Sequence, residues 1–98
     1  MEFRNEKPAC EFAVPEKVTV RQQLAYYSAA STPDQEKLLE KSWEAAKQII
    51  IPQSWRCEII KLDSSLDDLT DPQATEIILW AGSRVREYLS GLEAVPKN

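Results

Sequence analysis

The 98-residue sequence contains no histidine, only two glycines and only two cysteines. Without histidine, the chain lacks the commonest general base and every Ser-His or Cys-His nucleophile pair. The two glycines, Gly82 and Gly91, are too far apart to form a phosphate-binding loop. We therefore predict a protein that is not an enzyme and uses no cofactor.

Long apolar runs are also missing, and none approaches the roughly 20 residues of a membrane span. The first ten residues are charged, unlike the apolar centre of a signal peptide, so the sequence predicts a cytoplasmic protein with no membrane partner. Cys10 and Cys57 do not form a Cys-x-x-Cys metal motif, and the usual burial of free cysteine predicts plain thiols. Whether the two pair depends on whether their segments are adjacent in space, which the sequence leaves open.

The net charge is -4, which argues against a nucleic-acid-binding surface because such surfaces need an excess of Lys and Arg. Residues 1–57 contain eight acidic and eight basic residues, whereas residues 58–76 contain six acidic residues and one basic residue. The excess negative charge is therefore concentrated in one stretch. We expect another protein as the partner, with self-association left open because a chain of this length buries a modest core.

The acidic stretch reads KLDSSLDDLTDP over residues 61–72 and raises the question of a metal site. Counted from Asp63, it lacks the turn glycine and the bidentate glutamate of an EF-hand calcium loop. We therefore predict no metal site. The stretch is typical of a polar connector in which Asp71, followed by Pro72, caps the next helix.

The first helix is predicted from about Val20 to Ala30. Thr19 and Gln22 fit a capping box, in which each side chain accepts a hydrogen bond from a backbone N–H at the start of the helix. Helical spacing predicts that its inward-facing row consists of Val20, Leu24 and Tyr27.

The second helix is predicted to have Thr32 at its cap and Pro33 in its first turn, and to end near Ile50, before Pro52. Its apolar face is wide, which indicates a central helix that packs on more than one neighbour. That face consists of Leu38, Leu39, Trp43, Ala45, Ala46, Ile49 and Ile50.

The third helix is predicted from about Pro72 to Leu89, with Gly91 as its stop and AVPKN as a tail. Gly82 lies beside the core row and is small enough to let another backbone come close. The predicted core row consists of Ile78, Ala81, Val85, Leu89 and Leu92.

Two segments favour extended structure. In CEFAV, the alternation of Cys10, Phe12 and Val14 predicts a half-buried strand. Residues 49–62 are ambiguous, because Trp55, Cys57 and Ile59 alternate as in a short strand, whereas Cys57, Ile60 and Ser64 keep helical spacing. We favour an extended or irregular connection that packs Trp55 onto the core, and a short strand there could pair with CEFAV. The predicted fold is mainly α: one small three-helix domain over residues 1–98, with one or two short extended segments and loose ends at 1–9 and 93–98.

Partner-binding residues are predicted in two groups. The first is an aromatic and arginine row on the third helix, a combination enriched at binding hot spots; it consists of Trp80, Arg84 and Tyr88. The second is the acidic connector, represented by Asp63, Asp67 and Asp68, which would add steering and specificity. For the aromatic residues, a place in the core is the competing interpretation.

Four segments follow one another in the chain: FAVPEKVTVRQQLAYYSA, a helix with Trp43, WRCEII, and LTDPQATEIILWAGSRVREYLSGLEAVPKN. This layout resembles that of small tail assembly chaperones of long-tailed bacteriophages and prophages. The resemblance implies a non-catalytic assembly factor in the cytoplasm of the bacterial host. Such a factor would hold the aggregation-prone tape-measure protein until the tail tube subunits polymerise around it. The alternative is an acidic regulatory protein that binds a transcription or defence factor.

Overall fold

The computed structural model describes residues 1–93, in which three helices accompany a three-stranded antiparallel sheet. In chain order the elements are β1 (Glu2–Asn5), β2 (Cys10–Ala13), α1 (Val20–Ala30), α2 (Gln35–Ile49), β3 (Arg56–Cys57) and α3 (Pro72–Glu93), with 3-10 turns at Pro52–Ser54 and Leu66–Asp68. The sheet order is β1-β2-β3. The prediction of a mainly α three-helix domain is therefore wrong, and the fold is mixed α/β.

Strand β1 is the element that the sequence analysis missed, because residues 1–9 were predicted to be a loose end. Phe3 lies opposite Phe12 across the antiparallel pair, and Arg4 lies opposite Glu11 with their side chains 3.1 Å apart. Charged residues are common on edge strands, where they discourage pairing with other chains. They also hide the apolar alternation that would have revealed β1.

Strand β2 is the centre of the sheet, and its burial follows the predicted alternation, with Cys10, Phe12 and Val14 all buried. On its second side it pairs with β3 through Cys10 opposite Cys57. The connection after α2 therefore contains the short strand that could pair with CEFAV, and the helical spacing of Cys57, Ile60 and Ser64 does not form an α-helix. Just before β3, the Ser54 hydroxyl accepts a 2.8 Å hydrogen bond from the Ala13 backbone N–H, so a side chain extends the ladder.

Helix α1 begins and ends where predicted, and the capping box of Thr19 and Gln22 is present. Its predicted inward face is wrong at Val20, which is 70% exposed, and at Leu24, which is 63% exposed, whereas the third residue, Tyr27, is partly buried against the core. Tyr26 and Ala29 are the buried residues of this helix instead. Helix α1 contacts α2, and Tyr26 and Ala29 belong to the shared apolar core, whereas Val20 and Leu24 face outward.

Helix α2 contacts both other helices, as its wide apolar face predicted. Its cap is Asp34, whose carboxylate accepts hydrogen bonds from the N–H groups of Glu36 and Lys37, so the prediction of Thr32 at the cap is wrong. The Thr32 N–H donates to Ala29 O, which places this residue in the turn that closes α1. A carboxylate also suits the positive end of a helix better than a hydroxyl.

Helix α3 starts with the predicted cap, since the Asp71 carboxylate accepts a 2.9 Å hydrogen bond from the Gln73 N–H. The helix continues past Gly91 to Glu93, so the predicted stop is wrong. The predicted core row is buried at Ile78, Ala81, Val85 and Leu89. The Leu92 side chain and the AVPKN tail lie outside the residues that the structure describes in detail.

An aromatic cluster joins the sheet to the helices. Phe12 on β2 lies with its ring centroid 5.2 Å from Phe3, 5.9 Å from Trp55 and 5.3 Å from Trp80. Trp55 in turn lies 5.9 Å from Trp43 on α2, which confirms that it packs onto the core. The sheet and the helices therefore share one apolar core.

Candidate protein-binding groove

A surface groove of about 460 Å³ runs between α2 and α3, with α1 at one side. Its walls are largely apolar and come from all three helices. The lining residues are Tyr26, Gln35, Leu38, Leu39, Ser42, Trp43, Ile78, Leu79, Gly82, Ser83 and Arg86. We call this feature the α2–α3 groove.

The apolar surface of the groove has a buried floor and an exposed rim. Trp43 and Ile78 are buried, whereas Leu39 is 37% exposed and Leu79 is 53% exposed. One leucine projects from each of the two helices that form the walls. Exposed apolar residues that are grouped around a concavity, unlike scattered ones, are typical of sites that bind another molecule.

Gly82 opens the middle of the groove. A Cβ atom built on it would meet no other atom within 4 Å, and its backbone φ is not positive. Glycine inside a helix costs about 1 kcal/mol relative to alanine. Neither the packing of the described residues nor the backbone conformation therefore requires glycine at this position, and its effect is to leave space at the surface.

Arg86 is the charged residue among those that line the groove, and its side chain is exposed. It lies close enough to Tyr26 for its positive charge to lower the pKa of that phenol, but burial has the larger effect and raises the pKa above its ordinary value. Tyr26 is therefore neutral near pH 7. The groove thus presents an apolar channel with one positive charge.

The two aromatic residues of the predicted row pack inside the molecule, and its arginine pairs along α3. Trp80 is partly buried and meets Phe12 edge-on, and the buried Tyr88 donates its hydroxyl hydrogen bond to the Pro15 carbonyl. Arg84 forms a 3.0 Å ion pair with Glu87, one helical turn away. These contacts give Trp80 and Tyr88 a packing role, and their role in partner binding stays a prediction.

The acidic connector is exposed at all three predicted positions. Asp67 and Asp68 lie in the second 3-10 turn, which the Ser65 hydroxyl caps by accepting from the Asp67 N–H. Asp63 lines a separate depression that also contains Trp55 and Cys57. Within the described part of the chain, no group of three or more His, Cys, Asp or Glu side chains is placed to hold a metal ion.

Sequence reasoning missed most of the groove. Leu39 was predicted as a core residue, and Leu79 and Arg86 were not singled out. The available signal was Leu79, which follows the core residue Ile78 and falls outside the 3,4 spacing of the core row. At that position, a large aliphatic side chain has no other large apolar residue beside it on the same face of the helix.

Comparison with protein-family models, with curated proteins and with solved structures finds no match to this chain. The resemblance to tail assembly chaperones therefore stays a prediction based on the layout of the sequence. Over residues 1–93, none of the helices has the length and apolar character needed to cross a membrane.

Proposed function

We propose that this chain is a non-catalytic assembly factor that binds a helical segment of another protein in the α2–α3 groove. The observation that carries the proposal is Gly82, a helix-interior glycine that opens the groove and that no internal contact requires. A partner backbone that comes close at this point explains why a destabilising residue is present in the middle of α3.

The shape and polarity of the groove specify the chemistry of the partner. A groove between two helices accepts the apolar face of an amphipathic helix, whose anchors repeat at i, i+3, i+4 and i+7. Leu39 and Leu79 would then pack on either side of those anchors. Arg86 favours an acidic side chain on the bound helix, at the edge of its apolar face.

The resemblance to tail assembly chaperones supplies a candidate for that partner. A long helical tape-measure protein offers apolar segments that need cover until the tail tube subunits polymerise around it. The proposal places the protein in the cytoplasm of a bacterial host, if it is encoded by a phage or prophage. Binding that relies on apolar contacts and a single charge requires no catalytic group, in keeping with the absence of histidine.

The test is co-expression with the long helical tail protein of the same phage or prophage, followed by affinity capture. Gly82→Leu places a large side chain in the groove, and its Cβ atom would meet no neighbouring atom within 4 Å. We expect this variant to bind at least roughly tenfold more weakly, the loss typical of a hot-spot position. The matched control is Val20→Gln, which changes an exposed apolar residue outside the groove.

Circular dichroism must show the same helical content in both variants. Equal capture by Gly82→Leu and the wild type would remove the groove from the binding site. Loss of capture in a variant with Asp63, Asp67 and Asp68 changed to Asn, together with steep loss at high salt, would instead favour the acidic regulatory protein.

A further inference from the structure

The pairing of β2 with β3 places the two cysteines of the chain directly opposite each other, Cys10 against Cys57. The Glu58 N–H donates to Ala9 O at 3.3 Å, which makes the neighbouring pair hydrogen-bonded and the cysteine pair non-hydrogen-bonded. In such pairs the Cα atoms lie about 4.5 Å apart, with the side chains on the same face of the sheet. That separation is within the range of about 4.4–6.8 Å found for disulfides.

The two thiols differ in access to solvent. Cys10 is 3% exposed, whereas Cys57 is only partly buried. Both line a surface depression of about 440 Å³ whose charged residues are Arg4, Arg56, Glu6, Glu11 and Glu58. Burial raises the pKa of the Cys10 thiol, and the neighbouring Cys57 thiol raises it further, so Cys10 is protonated near neutral pH. An external reagent therefore reaches Cys57 first.

We propose that Cys10 and Cys57 form a reversible intramolecular disulfide by exchange with a small-molecule disulfide such as glutathione disulfide. The Cys57 thiolate attacks one sulfur of glutathione disulfide, which breaks that S–S bond, forms a mixed disulfide and releases one glutathione thiolate. Cys10 then loses its proton to solvent and attacks the Cys57 sulfur. The second glutathione leaves as a thiolate, so the two protein thiols are oxidised and one glutathione disulfide is reduced to two glutathione molecules.

The new bond would join the N-terminal hairpin to the chain that follows α2, and would close a loop that contains α1 and α2. A closed loop of this kind stabilises a protein mainly by restricting its unfolded state. In reducing compartments, disulfides are usually transient and catalytic or redox-sensing, so reversible use suits this pair.

The test is to equilibrate the reduced full-length protein with glutathione buffers of increasing disulfide content, quench with acid, alkylate and measure intact mass. We expect a monomer whose mass is lower by two hydrogen atoms, no alkylation, and a peptide map that joins the Cys10 and Cys57 fragments. In Cys10→Ser, Cys57 should keep one glutathione; Cys10→Ala repeats this test with a side chain that suits the buried site. A wild-type chain that keeps glutathione on Cys57, dimerises, or remains fully alkylated would overturn the proposal.

Thermal unfolding gives a second readout that does not require a variant. The oxidised wild type should unfold at a temperature higher by on the order of 10 °C than the reduced protein. Cys57→Ser should show no difference between the two buffers. An unchanged or lower unfolding temperature of the oxidised wild type would contradict the bond between β2 and β3. The result does not depend on what occupies the α2–α3 groove.

Discussion

Tyr88 connects the second half of α3 to the chain that follows β2, because its buried hydroxyl donates a hydrogen bond to the Pro15 carbonyl. Burial raises the pKa of this phenol, and the negative charge of Glu16 raises it further. The sequence predicted only an aromatic residue at helical spacing, with core and interface as alternatives. The partner carbonyl lies 73 positions away in the chain, and no local pattern reports a contact at that distance.

Tyr88→Phe tests this contact and its dependence on pH. Near pH 7 we expect the free energy of unfolding to fall by about 0.5–1.5 kcal/mol, the usual value of one hydrogen bond. The folded state holds the phenol proton more tightly than the unfolded state does. The stability from Tyr88 is therefore complete below the unfolded pKa of about 10, and is lost as pH rises through the higher folded value.

Urea unfolding at pH 7 and above pH 10 measures both effects. The wild type should lose more stability at the higher pH than Tyr88→Phe does, since the variant has one phenol fewer to ionise. Tyr26→Phe is a suitable comparison for Tyr88→Phe, because burial also raises the pKa of Tyr26 and each variant removes one such phenol. The same alkaline loss in the wild type and Tyr88→Phe would contradict the assignment.

Among the elements, the helices were predicted more accurately than the strands. The start of α1 and the cap of α3 depend on residues at most three positions apart in the chain, Thr19 with Gln22 and Asp71 with Pro72, so a local pattern is sufficient. Strand β1 depends on backbone pairing with β2. Its apolar residue is Phe3, so the pattern of apolar residues gives little indication of a strand. The groove was missed for a related reason, because the way in which the helices cross decides which leucine stays exposed.

The helix caps give a prediction at this scale. Asp34→Ala should lower the free energy of unfolding by about 1 kcal/mol, because two backbone N–H groups at the start of α2 lose their acceptor. Thr32→Ala is the matched control and should change stability little, since Thr32 contributes a backbone N–H to the turn. Denaturant unfolding followed by circular dichroism separates the two. A larger loss in Thr32→Ala would restore the cap that the sequence alone predicted.

In the whole molecule, Phe12 is the residue through which the sheet, the loop before β3 and α3 meet. Trp55 extends these contacts to Trp43 on α2. The alternation in CEFAV predicted that Phe12 would be buried, but not which elements it would join. Since one aromatic cluster spans the strands and two helices, the sheet and the helices are expected to unfold together.

Phe12→Ala tests this cooperativity, because the cavity it leaves should cost about 3–5 kcal/mol. Tryptophan fluorescence reports the cluster of Trp43, Trp55 and Trp80, while far-ultraviolet circular dichroism reports the helices. In the wild type both signals should change at the same denaturant concentration, and in Phe12→Ala both midpoints should shift down together. Leu24→Ala, which truncates an exposed residue, is the control and should leave both midpoints nearly unchanged. If fluorescence changed first while the helical signal persisted, the sheet would be a separate, weaker unit, and the shared core would not account for the stability of the helices.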